Sequence, residues 1–459
     1  MKTRLTCGAL ALGLLLTGCA KGTGGQNAPQ AAGSFDPAAK HTGTLTVMGF
    51  GGVDEIATTR KDLAQAALGG AQVKLVEGDL DLQQFLSSVA SGTPPDLINA
   101  SREQIGTFAS RGAIIPLTAC IAGEKIDTSM YGKAALQQVT LGGQVWAIPE
   151  FNQPQLTMAH AGLLKEAGLT VADVNGSNWE AITAAAGKLH QAPGGKLKVI
   201  GFDSKLPEFL PLWAKANGAD LLSADGRTAQ LNHPKVVEAL TFAAGIYTAQ
   251  GGFAKVKALR DSADFFGKGN QFAEKQLGAM PMEHWYLNVL NNMSPKEPLA
   301  FDAFRDRQGK PLAYTNGNAW AIPKGAKNAA AACRFAKTMT LVDTWKAAAD
   351  KRLAARKAEN KAFTGLLTAN TRADEAVKTM VTSAGEPWDS GVRAMYEANA
   401  ASFSMPANPA GEEFKKAWQD AANRVLNGQE TPQQALDRAQ REAQTALDQA
   451  WASWAKRTD

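Results

Sequence analysis

The order of elements between residues 44 and 99 constrains the fold most. Thr44-Leu45-Thr46-Val47-Met48 alternates polar and apolar side chains, the period of a half-buried strand. Residues 50–52 (Phe50-Gly51-Gly52) form a loop, and about 53–67 read as a helix. Residues 71–76 give a second strand and 82–90 a second helix, which Gly92-Thr93-Pro94-Pro95 breaks. Asp96-Leu97-Ile98-Asn99 is a short buried strand. Strand–helix–strand–helix–strand argues for a parallel sheet covered by helices, that is, an α/β fold.

A second set of elements begins near residue 150. Ser177-Asn178-Trp179-Glu180 has capping-box spacing ahead of Trp179, Ile182, Ala186 and Leu189, which share one helical face. Residues 198–202 and 277–280 read as strands, as does Ala319-Trp320-Ala321-Ile322. Pro234 sits where a first-turn proline is expected. The last third is mostly helical, and Thr431-Pro432-Gln433-Gln434 opens its final helix.

The N-terminus fixes the compartment. Lys2 and Arg4 precede an apolar run from Leu5 to Leu16, too short to span a bilayer, which needs roughly 20 residues. With the small residues that follow, this is a secretory signal. Its ending, Leu16-Thr17-Gly18-Cys19, resembles the lipobox of bacterial lipoproteins. That resemblance implies cleavage after residue 18, a lipid on Cys19, and an exported protein anchored to the cell membrane facing outside. Residues 19–43 are small, polar and Gly/Pro-containing, and read as anchor and flexible tether.

At 45% hydrophobic and 20% charged residues, the chain has an ordinary globular composition. Removal of the signal leaves roughly 440 residues, enough for two to three domains. The net charge of +5 is spread without a basic patch, which argues against nucleic acid. No Gly-x-Ser-x-Gly elbow, phosphate loop, His-Glu-x-x-His, Cys-x-x-Cys or calcium-loop pattern is present. Catalytic residues, metal and cofactor are therefore expected to be none. Cys120 and Cys333 could pair in an exported protein, but Cys333 sits in an Ala-rich helical run where a buried free thiol is the expectation.

Several ordered segments resemble the extracellular solute-binding proteins of ABC importers, in the carbohydrate-binding family that includes maltose-binding protein. They are residues 91–98 (Ser91-Gly92-Thr93-Pro94-Pro95-Asp96-Leu97-Ile98), 142–149 (Gly142 to Pro149), 163–169 with Asn178-Trp179-Glu180, 231–240 around Asn232-His233-Pro234, and 318–328. The chain departs from the family in its extra proline at Pro94-Pro95, in lacking an aspartate at 150–154, and at His160. The resemblance implies a two-lobed periplasmic-binding-protein-like fold, with a central mixed sheet in each lobe and an interlobe cleft. One lobe is expected at 44–150 plus 275–320, the other at 155–270 plus 325–459. It also implies a monomer that carries a small-molecule carbohydrate to the transmembrane subunits of an ABC permease. An exported carbohydrate-active enzyme and a binding lobe that feeds a signalling receptor are the alternatives. Sugars, polyols and glycerol phosphodiesters all suit such a cleft.

A sugar needs planar hydrogen-bonding side chains around its rim and flat aromatics on its faces. Trp285, in Glu283-His284-Trp285-Tyr286, stands where the family places a stacking aromatic, or else is a core tryptophan shielding the lobe interface. Glu283 could accept hydroxyl hydrogen bonds. Asn316 and Asn318 flank a glycine before a strand and present amides or simply a turn. Glu150 and Asn152 lie where the chain first crosses between lobes, Asn99 and Arg102 end a strand, and Phe50 opens a glycine loop. Trp213 is a second stacking candidate, against a core reading.

Overall fold

Burial follows the alternation of the first strand: Leu45 and Val47 are fully buried, while Thr44 and Thr46 are not. The computed structural model describes residues 35–52 and 54–458; the signal, Cys19 and the tether up to residue 34 lie outside the described residues. The strands Gln72–Val76, Thr44–Met48 and Leu97–Ser101 pair in parallel, in that order. Asn318–Ala321 continues this sheet antiparallel to Leu97–Ser101, and Ile148–Pro149 closes its far edge. Connecting helices begin where short polar side chains take the free amides: Asp54 Oδ1 accepts from Ala57 N and Asp81 Oδ1 from Gln84 N.

A second sheet has the order Leu299–Ala303, Gln155–His160, Leu277–Glu283, Ile200–Phe202. Gln155–His160 runs antiparallel to both neighbours, and Ile200–Phe202 runs parallel to Leu277–Glu283. Helices Trp179–Leu189 and Pro234–Ala249 pack their apolar faces on it. The cap of the former is Asn178, whose side chain accepts from Ala181 N, one residue later than the capping-box spacing predicts. Thr431 and Gln434 do form a reciprocal box at the start of the last helix, Pro432–Thr458. The chain is therefore α/β, with one mixed sheet in each of two lobes.

Sheet membership differs from the expected lobe limits. Leu277–Glu283 and Leu299–Ala303, expected in the first lobe with 275–320, pair in the second sheet. The C-terminal third, expected wholly in the second lobe, is shared. Ala329–Met339 packs into the first lobe's core beside Leu45 and Trp320, and Val342–Ala358 lies along Glu55–Ala66. Trp388–Ala400 packs on Leu299–Ala303 instead. The antiparallel strand 318–321 returns the chain to the first sheet only after the second is complete, and local patterning cannot register such a return.

Residues 35–43, expected within the tether, lie against the first lobe. His41 N donates to Leu68 O, and the Arg334 guanidinium donates to Asp36 O at 2.5 Å and to Ala39 O at 3.3 Å. Phe35 packs on the same core. Cys120 and Cys333 form a disulfide with a Cα–Cα distance of 5.8 Å, which corrects the expected free thiols. Both lie in the first lobe's core, where the short helix Thr118–Gly123 meets Ala329–Met339. Their separation of 213 residues hides this contact from the sequence.

Candidate functional site

The C-terminal ends of the parallel strands converge on one edge of the first sheet, where open α/β sheets bind ligands. Gly49, Gly78 and Asn99 meet there and line a cavity of about 640 Å3 between the lobes. Such a volume suits a small organic ligand. The opposite wall comes from the second lobe and carries Phe266, His284, Trp285 and Asn288.

The first-lobe wall is built on a buried polar chain. Arg60 Nη1 donates to Glu150 Oε1 at 2.7 Å, and Asn99 Nδ2 donates to Glu150 Oε2 at 2.6 Å. Asn318 Nδ2 in turn donates to Asn99 Oδ1 at 2.7 Å. Glu150 is 1% exposed and Arg60 4%. A buried ion pair needs such further hydrogen bonds to offset its desolvation. The Arg60 guanidinium also lies 3.9 Å from the ring centroid of Trp345, a cation–π contact within a water-poor wall. The indole Nε1 of Trp345 is buried at the cavity without a protein partner among the described residues. Beside it, Arg352 Nη2 pairs with Asp54 Oδ2 at 2.6 Å.

The second-lobe wall is aromatic. Trp285 begins the helix Trp285–Met293 directly after Leu277–Glu283, and its ring stacks on Phe266 with centroids 5.9 Å apart and planes 16° apart. Phe266 is 62% exposed, unusual for so large an apolar side chain. On the same wall, burial pushes the His284 imidazole down to about 3, so the ring is neutral at physiological pH. A flat apolar face thus confronts a rim of amides and carboxylates.

Five sequence candidates meet in this cavity: Phe50, Asn99, Glu150, Trp285 and Asn318. Five do not. Trp213 is fully buried in the second-lobe core, its Nε1 donating to Ser204 O at 2.8 Å, so the core reading replaces the stacking one. Arg102, expected at a ligand or a surface ion pair, is fully buried; it donates to Gln138 Oε1 at 2.8 Å and to Phe151 O at 2.5 Å, holding the first crossing segment. Asn152 turns away to donate to Asn399 Oδ1 at 3.0 Å. Asn316 Nδ2 reaches Ser101 Oγ at 3.4 Å, and Glu283 is half-buried outside the cavity, its carboxyl pushed up by burial.

Arg60, Asp54, Phe266, Trp345 and Arg352 were missed by sequence reasoning. Arg60 had a signal: it lies on the apolar stripe of Glu55–Ala66 with Ile56, Ala57 and Ala64, where a buried arginine implies a partner. Trp345 and Arg352 come from a helix that only the tertiary fold brings to the cleft. Among the described residues no group of His, Cys, Asp and Glu could hold a metal ion, and no helix is long and apolar enough to cross a membrane.

The family described as bacterial extracellular solute-binding protein matches residues 60–378. A maltooligosaccharide ABC transporter solute-binding lipoprotein of Streptococcus pneumoniae is 23% identical over 373 residues, covering 76% of this chain and 79% of that protein. An ABC substrate-binding protein of Listeria monocytogenes in complex with cycloalternan superposes with a TM-score of 0.71 at 18% identity, covering 89% of this chain and all of that one. The GacH receptor of Streptomyces glaucescens, solved unliganded and with acarbose, gives 0.69 at 16% identity, covering 89% and 99%. These likenesses share the two-lobed fold.

Proposed function

This chain belongs to the bacterial extracellular solute-binding protein family, and on that premise we propose that it captures a sugar or oligosaccharide between its lobes and delivers it to an ABC permease. The observation that carries this reading is the pairing of walls across one cavity. Trp285 and Phe266 offer a flat apolar face for sugar C–H groups, while Glu150, Asn99 and Asn318 offer fixed hydrogen-bonding groups for its hydroxyls. Glu150 is already held by Arg60, Asn99 by Glu150 and Asn318 by Asn99, so little ordering is left to do when ligand arrives. Closure of the lobes would bring the aromatic wall onto a sugar resting on the polar wall. The protein binds without chemistry, and the carboxylates at the cavity serve as hydrogen-bond and ion-pair partners.

Cys19 carries the lipid, and the segment after it tethers a monomeric binder to the outer face of the cell membrane. Tethering keeps the binder at high effective concentration near its permease. A thermal-shift screen against mono- and oligosaccharides tests the reading. Ligand at 100 times its Kd adds about 2.7 kcal/mol to native stability, a plain rise in midpoint. A rise with an amino acid or peptide and none with any saccharide would refute it.

A further inference from the structure

Beside the crossings the two lobes share a buried carboxyl. Asp374 is 7% exposed and lies on Thr371–Lys378, a helix fixed to the first lobe where Thr371 Oγ1 donates to Met130 O at 3.1 Å. Its Oδ1 accepts from Thr368 N at 2.7 Å, next to Ala369, whose N donates to Glu150 O at 3.0 Å. Its Oδ2 accepts from Asn399 Nδ2 at 3.0 Å. Asn399 belongs to the second lobe, near the end of Trp388–Ala400. Asn399 Oδ1 in turn accepts from Asn152 Nδ2, in the first crossing segment. One hydrogen-bonded chain thus runs Thr368–Asp374–Asn399–Asn152, and its middle link spans the lobes.

No cation pairs with this carboxyl among the described residues. On its own helix, Glu375 adds like charge, Arg372 pairs with Asp127 at 2.9 Å, and Lys378 Nζ lies 5.1 Å from the Tyr396 ring. On Trp388–Ala400, Tyr396 is kept protonated by burial and by Asp374 itself, and Glu397 pairs with Arg305 at 3.3 Å. On Val342–Ala358, Arg352 holds Asp54 and Arg356 donates to Asn288. At the first crossing, Glu150 is held by Arg60. Burial accordingly pushes the Asp374 carboxyl up to about 7.

The chain of amides accepts either protonation state. Ionised, Asp374 takes both hydrogen bonds but keeps a charge away from water. Neutral, it still accepts from Thr368 N on Oδ1 and carries its proton on Oδ2, so the Asn399 amide must turn its oxygen toward it. The Asn399 NH2 then faces Asn152, whose Oδ1 is buried without a partner among the described residues and can turn to accept. Every link survives with its direction reversed, and the buried charge is gone.

We propose that lobe movement is coupled to one proton: neutral Asp374 fastens the lobes in this arrangement, and ionised Asp374 releases them. Lobes that swing apart draw Asn399 from Asp374 and admit water, so the carboxyl returns to its ordinary acidity and gives its proton to solvent. With a pKa near 7 in the fastened state and about 4 in water, the ratio of fastened to parted lobes rises about tenfold from about pH 8.5 to about pH 6. Acid favours the fastened state, and the effect is lost as the pH rises through about 7. The coupling is independent of which solute the cleft takes.

Small-angle X-ray scattering of the ligand-free full chain, from about pH 8.5 to about pH 5.5, tests it. The radius of gyration of wild type should fall as the pH drops through about 7. Asp374→Asn is neutral at every pH and can donate to Asn399 Oδ1 while accepting from Thr368 N, so it should hold the smaller radius throughout. Asp374→Ala removes the carboxyl outright, and its radius should not respond to pH. A wild-type radius that stays constant or grows in acid would overturn the coupling. So would a wild-type response that persists in either variant, since another group would then carry it.

Discussion

Replacing Glu150 by Gln probes the wall on which the site is built. The side chain is 1% exposed and holds Arg60 Nη1 at 2.7 Å and Asn99 Nδ2 at 2.6 Å. Gln keeps the volume and one carbonyl acceptor but removes the charge. The Arg60 guanidinium, 4% exposed with its Nε unpartnered, then stays buried with no counter-charge. Breaking one side of a buried ion pair costs about 3–5 kcal/mol, because the stranded charge cannot recover its hydration. Trp345, 3.9 Å away, returns part of this through its ring face, on the order of 1 kcal/mol. The expected loss for Glu150→Gln is therefore about 2–4 kcal/mol. Adding Arg60→Met removes the stranded charge and should restore most of the loss, giving a coupling of about 2 kcal/mol or more in the double-mutant cycle. Urea unfolding of the ligand-free protein, followed by tryptophan fluorescence and circular dichroism, measures all four states. A loss under about 1 kcal/mol for Glu150→Gln, or additive single effects, would show that the pair is not held as described.

Three further outcomes follow from the same contacts. Trp285→Ala should weaken saccharide binding by about 1 kcal/mol or more with folding intact, whereas Trp213→Ala should cost about 3–5 kcal/mol of stability and leave intact-protein affinity unchanged; titration and melting of both variants separate cleft from core. Reducing or removing the Cys120–Cys333 bridge should cost about 2–5 kcal/mol, read as a lower thermal midpoint of Cys333→Ala, and an unchanged midpoint would contradict a bridge that closes so long a loop. Burial lowers the His284 pKa to about 3, below its unfolded value near 6.5, so the unfolded chain binds the extra proton between those limits. Stability from this group is full above pH 6.5 and falls as the pH drops toward 3; His284→Gln should flatten that part of a melting-point series, and parallel wild-type and variant curves would refute it.

The legible part of this protein was its local pattern. Alternation at Leu45 and Val47, the breaks at Gly92 to Pro95 and the first-turn prolines Pro234 and Pro432 gave elements close to those observed. The glycine loop after the first strand, the amides at Asn99 and Asn318, Glu150 at the crossing and Trp285 after a strand all reach the cleft, because strand ends in such a sheet point there. Illegible were the facts that depend on distant contacts. The return of 318–321 to the first sheet, the docking of Val342–Ala358 on Glu55–Ala66 and the disulfide join residues more than 200 positions apart. Arg102 misled because its charge suggested a surface, while the crossing carbonyl of Phe151 and the amide of Gln138 keep it inside. Trp213 misled because a tryptophan on an apolar helical face looks the same in a core and in a cleft.

Reversible capture of a saccharide, with no bond made or broken, is the central claim of the proposed function, and turnover would be the mark of a carbohydrate-active enzyme instead. Calorimetric titration of the full chain with a malto-oligosaccharide, followed by chromatography of the recovered sugar, reads both halves of that statement at once. A saturable one-to-one heat and sugar recovered at its original length are expected; no saturable heat, or shortened chains in the eluate, would contradict reversible capture.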